Sequence, residues 1–304
     1  MFNVRKNMTN LEFLKSRFYV FKDISRYRNA YKNYFSVIYR IIRNKYPIDV
    51  VLKNGQTRTL HNRIEVYTTS LGLDKFFRVE KNCVIISKNN KTIQFIDGIS
   101  NGDVSGIFLE EDYEFLPVNN KVVIDIGANI GDSAIYFATN NASKVIALEP
   151  YQNNFEIAKK NISLNHFEKH IEILLAGCSN ESGHINLDSD KGTPQTGLHE
   201  SKTGIKIPLF SLKNLVDKYE INQGILKMDC EGCEYDSILE TSDSILQKFS
   251  HIQIEYHYGY KNLKKKLENA GFTVKITKPN YNMNYDASPS SMFIGFLYAT
   301  NNDQ

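Results

Sequence analysis

The spacing of apolar residues changes twice along the chain. Tyr31, Tyr34, Phe35, Ile38 and Ile42 recur at three- and four-residue steps, which predicts an amphipathic helix ending before Pro47. The period then falls to two. Residues 48–52 and 57–60 flank Lys53-Asn54-Gly55, a hairpin pattern with an Asn-Gly turn, and residues 83–86 and 92–96 flank the polar Lys88-Asn89-Asn90 in a second. Beyond residue 120, short continuous apolar runs alternate with helical stretches. The runs at 122–126, 145–148, 171–175, 224–228, 252–254 and 272–276 read as buried strands. Helical stretches open at Asp132, run over 154–163 and 212–219, open again around Glu231, and run over 263–270 with Gly271 as C-cap. A last run, 292–298, is predicted to return antiparallel. The pattern therefore predicts a helical arm with a small antiparallel β layer over 1–118, and an α/β domain with a Rossmann-like sheet over 119–304. Residues 187–204 are polar and aperiodic and read as a long loop.

The apolar runs end abruptly in ionisable residues. In Val-Val-Ile-Asp125-Ile-Gly127-Ala-Asn129-Ile-Gly131-Asp132 a strand passes through a Gly-rich turn into a helix, and ligands sit beyond the carboxyl ends of such strands. A dinucleotide fingerprint would need glycine two positions after Gly127, and Asn129 stands there. Asp125 would repel a pyrophosphate but suits an ammonium group. Glu149, at the tip of the next strand, can accept both hydroxyls of a ribose. Ammonium and ribose together describe S-adenosylmethionine better than NAD. Gly177, after the third strand, falls where an adenine edge would lie, so backbone groups would read the base. Two further tips, Lys227-Met-Asp229-Cys-Glu231-Gly-Cys-Glu234 and Glu255-Tyr-His257, gather more charge than a helix cap needs. Asp229 is the first candidate for a general base, with Glu231, His257 and Lys227 around it. Asp229 with Glu255 forms a candidate ligand pair for Mg²⁺. The competing reading is that Lys227 pairs with a carboxylate and the cluster only shapes a pocket.

Composition adds three constraints. The 304 residues are 41% hydrophobic and 23% charged, ordinary for a globular chain, and no apolar run approaches the length of a membrane span. The start of the chain lacks a hydrophobic signal core, so a cytoplasmic protein is expected. Residues 1–46 hold eleven Lys/Arg against Glu12 and Asp23, a net +9 that leaves −6 for the remainder. Aromatic residues interleave with that basic run, which suits self-association, packing on the body of the protein, or peripheral contact with an anionic membrane. The four cysteines are too few and scattered for a disulfide framework.

With these residues laid out, the chain resembles the FkbM family of S-adenosylmethionine-dependent methyltransferases. The matching pieces are residues 123–132, Leu148-Glu149-Pro150, residues 226–234, Ile254-Glu255-Tyr256-His257 and Ala270-Gly271-Phe272, in the family's order over about 105–276. The resemblance implies a seven-stranded class I methyltransferase sheet, six strands parallel and the last antiparallel. It also implies O-methylation of a hydroxyl on a small-molecule or glycan acceptor. The family commonly has an apolar residue where Cys230 stands and a small one where Cys233 stands, so both cysteines read as incidental. Two alternatives stand beside this: a nucleic-acid methyltransferase, which the basic arm would suit although an Asn/Asp-Pro-Pro-aromatic motif is absent, and a non-catalytic cofactor-binding protein.

Overall fold

The computed structural model describes residues 24–72, 77–80, 83–88, 91–97, 103–187, 202, 204–277, 280–281 and 293–302. The chain forms two compact units, divided between Ser105 and Gly106. The first 23 residues of the basic arm and most of the polar loop at 187–204 lie outside the described residues.

In the first unit, helix α1 (Tyr34–Ile42) lies over the hairpin of β1 (Ile48–Val51) and β2 (Thr57–Leu60). Its inward residue Val37 joins Tyr27, Tyr31, Ile48, Val50, Leu60 and Val66 in one apolar cluster. The Asn33 side chain donates to the Asp49 carbonyl at 2.9 Å and accepts from the Val51 amide at 2.8 Å, completing the edge of β1. Helix α2 (Arg63–Ser70) starts on an Asn62 cap that accepts from the Glu65 amide, an element the apolar spacing does not announce. The second hairpin gains a third strand, so that β3 (Phe77–Glu80), β4 (Cys83–Lys88) and β5 (Lys91–Ile96) form one antiparallel sheet. Phe35, Tyr39 and Ile42 of α1 are exposed. Among the described residues no helix is long and apolar enough to cross a membrane.

The second unit is built on seven strands: β6 (Val122–Ile126), β7 (Lys144–Glu149), β8 (Ile171–Leu175), β12 (Gly224–Met228), β13 (Phe249–Tyr256), β14 (Phe272–Ile276) and β16 (Phe293–Asn301). Their spatial order is β14-β16-β13-β12-β6-β7-β8. All neighbouring pairs from β8 to β13 are parallel, and β16 runs antiparallel to both β13 and β14. The order reverses between β6 and β12, the switch point where open α/β sheets bind ligands. Helices α3 (Asp132–Thr139), α4 (Gln152–Leu164), α5 (Leu212–Lys218), α6 (Cys233–Leu239), α7 (Asp243–Leu246) and α8 (Lys261–Asn269) make the crossovers. Short β9 (Gly177–Cys178), β10 (Gly183–Leu187) and β11 (Ile205–Phe210) form a separate small sheet, and β15 (Asn280–Tyr281) pairs antiparallel with the start of β16.

Residues 106–118 belong to this second unit and cover part of the sheet. Phe108 and Tyr113 pack on Tyr136 and Phe137 of α3, Phe115 meets Tyr298, and the Asp112 backbone carbonyl accepts from Gln253 Nε2 at 2.8 Å. Beneath them the register sets Asp125, Lys227 and Gln253 side by side on three adjacent strands. All three are buried, a polar row inside an otherwise aliphatic sheet.

Candidate active site

The strand tips at the switch point form two polar corners. The first is the turn from β6 into α3. Gly127 has φ +78, and a Cβ there would lie 1.7 Å from the Asp229 carbonyl oxygen, so the β6 and β12 tips approach only because this residue is glycine. Asn129 is also left-handed, at φ +48, and its amide donates to Glu149 Oε2 at 2.8 Å. Gly131 (φ +84) starts α3, and a Cβ there would press on Ala158 of α4. Glu149 Oε1 accepts from the Tyr151 amide at 2.9 Å. Burial pushes the Glu149 carboxyl up to about 8, against the pull of those two amides and of Lys227. Asp132 is buried at the start of α3 and bonds the Ser133 amide at 2.9 Å. Gly177 is buried in the small sheet, opposite Leu209.

Asp125 occupies the expected strand tip, but the ammonium it holds is the protein's own. Lys227 Nζ lies 3.1 Å from Asp125 Oδ1, and Ser133 Oγ donates to Oδ2 at 2.6 Å. The same Nζ donates to the Gly127 carbonyl at 2.7 Å. Burial works against the lysine's charge, and Asp125, Asp229 and Asp132 outweigh it, so its pKa stands above the ordinary value. The pair is buried on both sides, and it pins the glycine turn from below. The reading in which Lys227 pairs with a carboxylate therefore describes Lys227, while the remaining charges form a separate group.

That group is the second corner. Glu234 is fully buried and accepts from the Cys230 amide at 3.1 Å and the Gly232 amide at 2.7 Å. Its Oε1 also lies 3.0 Å from His257 Nδ1. The other ring nitrogen, Nε2, faces Glu231 Oε2 at 3.3 Å and Asp229 Oδ1 at 3.8 Å. Burial lowers the pKa of His257, but Glu234, Asp229 and Glu231 together raise it to about 10, so the ring is an imidazolium at neutral pH. Asp229 and Glu231 keep 28% and 22% of their side chains exposed, against 3% for His257, so solvent reaches the two carboxylates before the ring. Tyr151 adjoins both corners, its hydroxyl pushed up to about 12 by burial, Glu149 and Glu231. Tyr113, buried over Lys227, is raised by burial and then by Asp229, Glu255, Asp125 and Asp132.

Two expectations change. Among the described residues, the three grouped closely enough to share a cation are Asp229, Glu231 and His257, a set that does not include Glu255. The alternation of β13 places Glu255 and His257 on one face, but the β12–α6 turn brings Glu231 rather than Glu255 to the ring. Cys230 and Cys233 are not incidental: they form a disulfide with Cα atoms 5.5 Å apart. Ser133 and Tyr113 went unnoticed in the sequence. Ser133 looks like an ordinary first-turn residue, and Tyr113 lies in a segment without periodicity.

Six parallel strands with an antiparallel seventh inserted next to the edge define the class I methyltransferase fold. Residues 125–274, just under half of the chain, match the methyltransferase FkbM domain, so the second unit carries an S-adenosylmethionine-dependent methyltransferase domain of that kind. Among solved structures, it is similar to methyltransferase FkbM from Methylobacillus flagellatus KT, with 14% identity and a TM-score of 0.43 over 64% of this chain and 47% of that one. It also resembles M. capricolum TrmK bound to S-adenosyl-homocysteine, with 17% identity and a TM-score of 0.39 over 64% and 68% of the two chains. M. jannaschii TYW2 in complex with AdoMet matches at 16% identity and a TM-score of 0.35, over 73% and 87%. At these values the likenesses carry no argument about chemistry. The match spans about half the length of the M. flagellatus protein. A comparison with curated proteins gives no match.

Proposed function

We propose that the protein methylates a hydroxyl of a sugar, glycan or related metabolite, using S-adenosylmethionine, with Asp229 as general base. The observation that carries this reading is the second corner: two partly exposed carboxylates at the switch point, facing His257 Nε2 at 3.3 and 3.8 Å. The residues fit the cofactor. Each Glu149 oxygen accepts one backbone amide and keeps a lone pair for a ribose hydroxyl, and the left-handed turn at Gly127 and Asn129 keeps backbone close to a ligand. When bound, the cofactor supplies a methyl group activated by its sulfonium.

The chain's own part is to align an oxygen with that methyl group and to accept the oxygen's proton. An alcohol is a weak nucleophile while protonated, so a base within hydrogen-bond reach is needed. His257 is already protonated and cannot serve. Its Nε2 proton instead steadies Asp229 and Glu231, and Asp229 takes the hydroxyl proton. Lys227 and Asp125 hold the glycine turn and touch neither reactant. Magnesium does not fit the cluster: it demands near-octahedral oxygen ligation, and one of the three grouped donors is an imidazole held at its other nitrogen by Glu234. No step passes through a metal.

The test is incubation with methyl-labelled S-adenosylmethionine and a panel of saccharides and glycolipids, with and without Mg²⁺. The expected result is label in an alkali-stable methyl ether, at a rate that chelation leaves unchanged. Label in RNA, with binding that weakens steeply with salt, would replace the glycan reading. Cofactor binding with no label in any acceptor would replace it with a non-catalytic one.

A further inference from the structure

The loop between β12 and α6 carries the accessible carboxylates, and a covalent ring closes it. Cys230 directly follows Asp229, Cys233 directly precedes Glu234, and their disulfide encloses only Glu231 and Gly232. Every group of the second corner except His257 therefore sits inside this ring or next to it. Within the ring both residues are left-handed, Glu231 at φ +59 and Gly232 at φ +131. A glutamate gains nothing from that conformation, so something around it must impose it. Two amides of the loop, Cys230 and Gly232, also hold Glu234, which in turn holds His257 Nδ1.

A bridge across so few residues restrains the unfolded chain least, which makes a purely stabilising purpose a poor account of its position. Both cysteines are half-buried at the margin of the core cluster rather than enclosed in it, so thiol–disulfide exchange there requires a reductant that approaches from the solvent side of the loop. The other two cysteines differ from them. Cys178 is buried, its thiol pushed up to about 11 by burial, and Cys83 stands in the first unit.

We propose that Cys230 and Cys233 form a thiol–disulfide exchange site that sets the geometry of the acceptor corner. Its co-substrate is a dithiol reductant. A thiolate of the reductant attacks one of the two sulfurs, the S–S bond breaks, and a mixed disulfide forms. The reductant's second thiol then resolves it, so two electrons and two protons reach the protein, leaving two cysteine thiols and an oxidised reductant. Opening the ring frees Glu231 to leave the left-handed region and withdraw from His257 Nε2. The amides of Cys230 and Gly232 then loosen from Glu234. The Glu149 corner, on a different strand tip, keeps its hydrogen bonds. Reduction therefore slows turnover without weakening cofactor binding.

The turnover part rests on the proposed methyl transfer, and the structural part does not, so the experiment reads both. The full chain is compared before and after dithiothreitol. Readouts are free-thiol count, hydrogen exchange of the Cys230 and Gly232 amides, the His257 ring signals, S-adenosyl-homocysteine affinity, and kcat once an acceptor is known. We expect two additional thiols, faster exchange confined to this loop, a shifted His257 signal and unchanged affinity. We also expect a kcat lowered by about tenfold or more, as a displacement near 1 Å produces. The double variant Cys230→Ser/Cys233→Ser should behave like the reduced protein under both conditions, and Cys83→Ser should respond like the parent chain. The proposal falls if thiol trapping finds both cysteines free in air-equilibrated protein. It also falls if reduction leaves the loop amides and His257 signals unchanged. Failure of every acceptor with those signals still responding would count against the methyl-transfer reading alone.

Discussion

The two corners of the site solve opposite problems with the same residue type. At the β7 tip one carboxylate, Glu149, is buried and held by two backbone amides. Its geometry is set by main chain, and main chain is set by Gly127 and Asn129. At the β12 tip Asp229 and Glu231 are partly exposed and held by a side chain, the His257 imidazolium, which is held by another side chain, Glu234. A backbone cradle suits a ligand that is always the same. A corner made of side chains, closed by a disulfide, suits a group that must move a proton and whose arrangement can be altered. On the proposed reading, recognition belongs to one corner and chemistry to the other.

The strongest test of that division is Asp229→Asn. It should lower kcat by about 10²- to 10⁴-fold, the contribution of a positioned base, while S-adenosyl-homocysteine affinity by calorimetry stays the same. Parent-like turnover would remove Asp229 as the base. Next comes Lys227→Met, which strands a fully buried Asp125 and should cost about 3–5 kcal/mol in denaturant unfolding. A loss below 1 kcal/mol would mean the pair does not anchor the turn. Glu149→Gln should weaken cofactor affinity by roughly tenfold, because an amide nitrogen replaces one of the two oxygens that face the Asn129 and Tyr151 amides, and leave His257 signals in place. If instead acceptor KM changes and cofactor affinity does not, the two roles are reversed.

The smallest effect separates the corners by pH. Glu149 stands at about 8 against an ordinary 4.5, so the folded protein keeps a proton that the unfolded chain has already lost. Stability therefore falls as pH rises between those values. His257 stands at about 10 against an ordinary 6.5, so its stabilisation is complete below 6.5 and is lost as pH climbs through about 10. The thermal midpoint should decline in both windows. Glu149→Gln should flatten only the lower decline and His257→Gln only the upper. A midpoint that rises with pH across either window would contradict the protonation assigned to that corner.

Much of this was legible in the chain. Short, largely apolar runs placed β6, β8 and β14 to the residue, because strands of a sheet covered on both faces are apolar along most of their length. The antiparallel return of β16 was legible too, as was the replacement of a dinucleotide glycine by Asn129. Side-chain pairing across strands was not. Lys227 and Asp125 are about a hundred residues apart, and only the register of β12 against β6 sets them side by side. Whether Glu231 or Glu255 meets His257 was likewise decided by a turn held in left-handed conformations, and periodicity carries no information about such a turn. The amino-acid order determined which chemistry reaches the strand tips, since an unpaired charge is costly to bury elsewhere in the sheet. The folded sheet alone decided which charges neutralise one another and which remain for a substrate, because that depends on distances of 3–4 Å between segments remote in the chain.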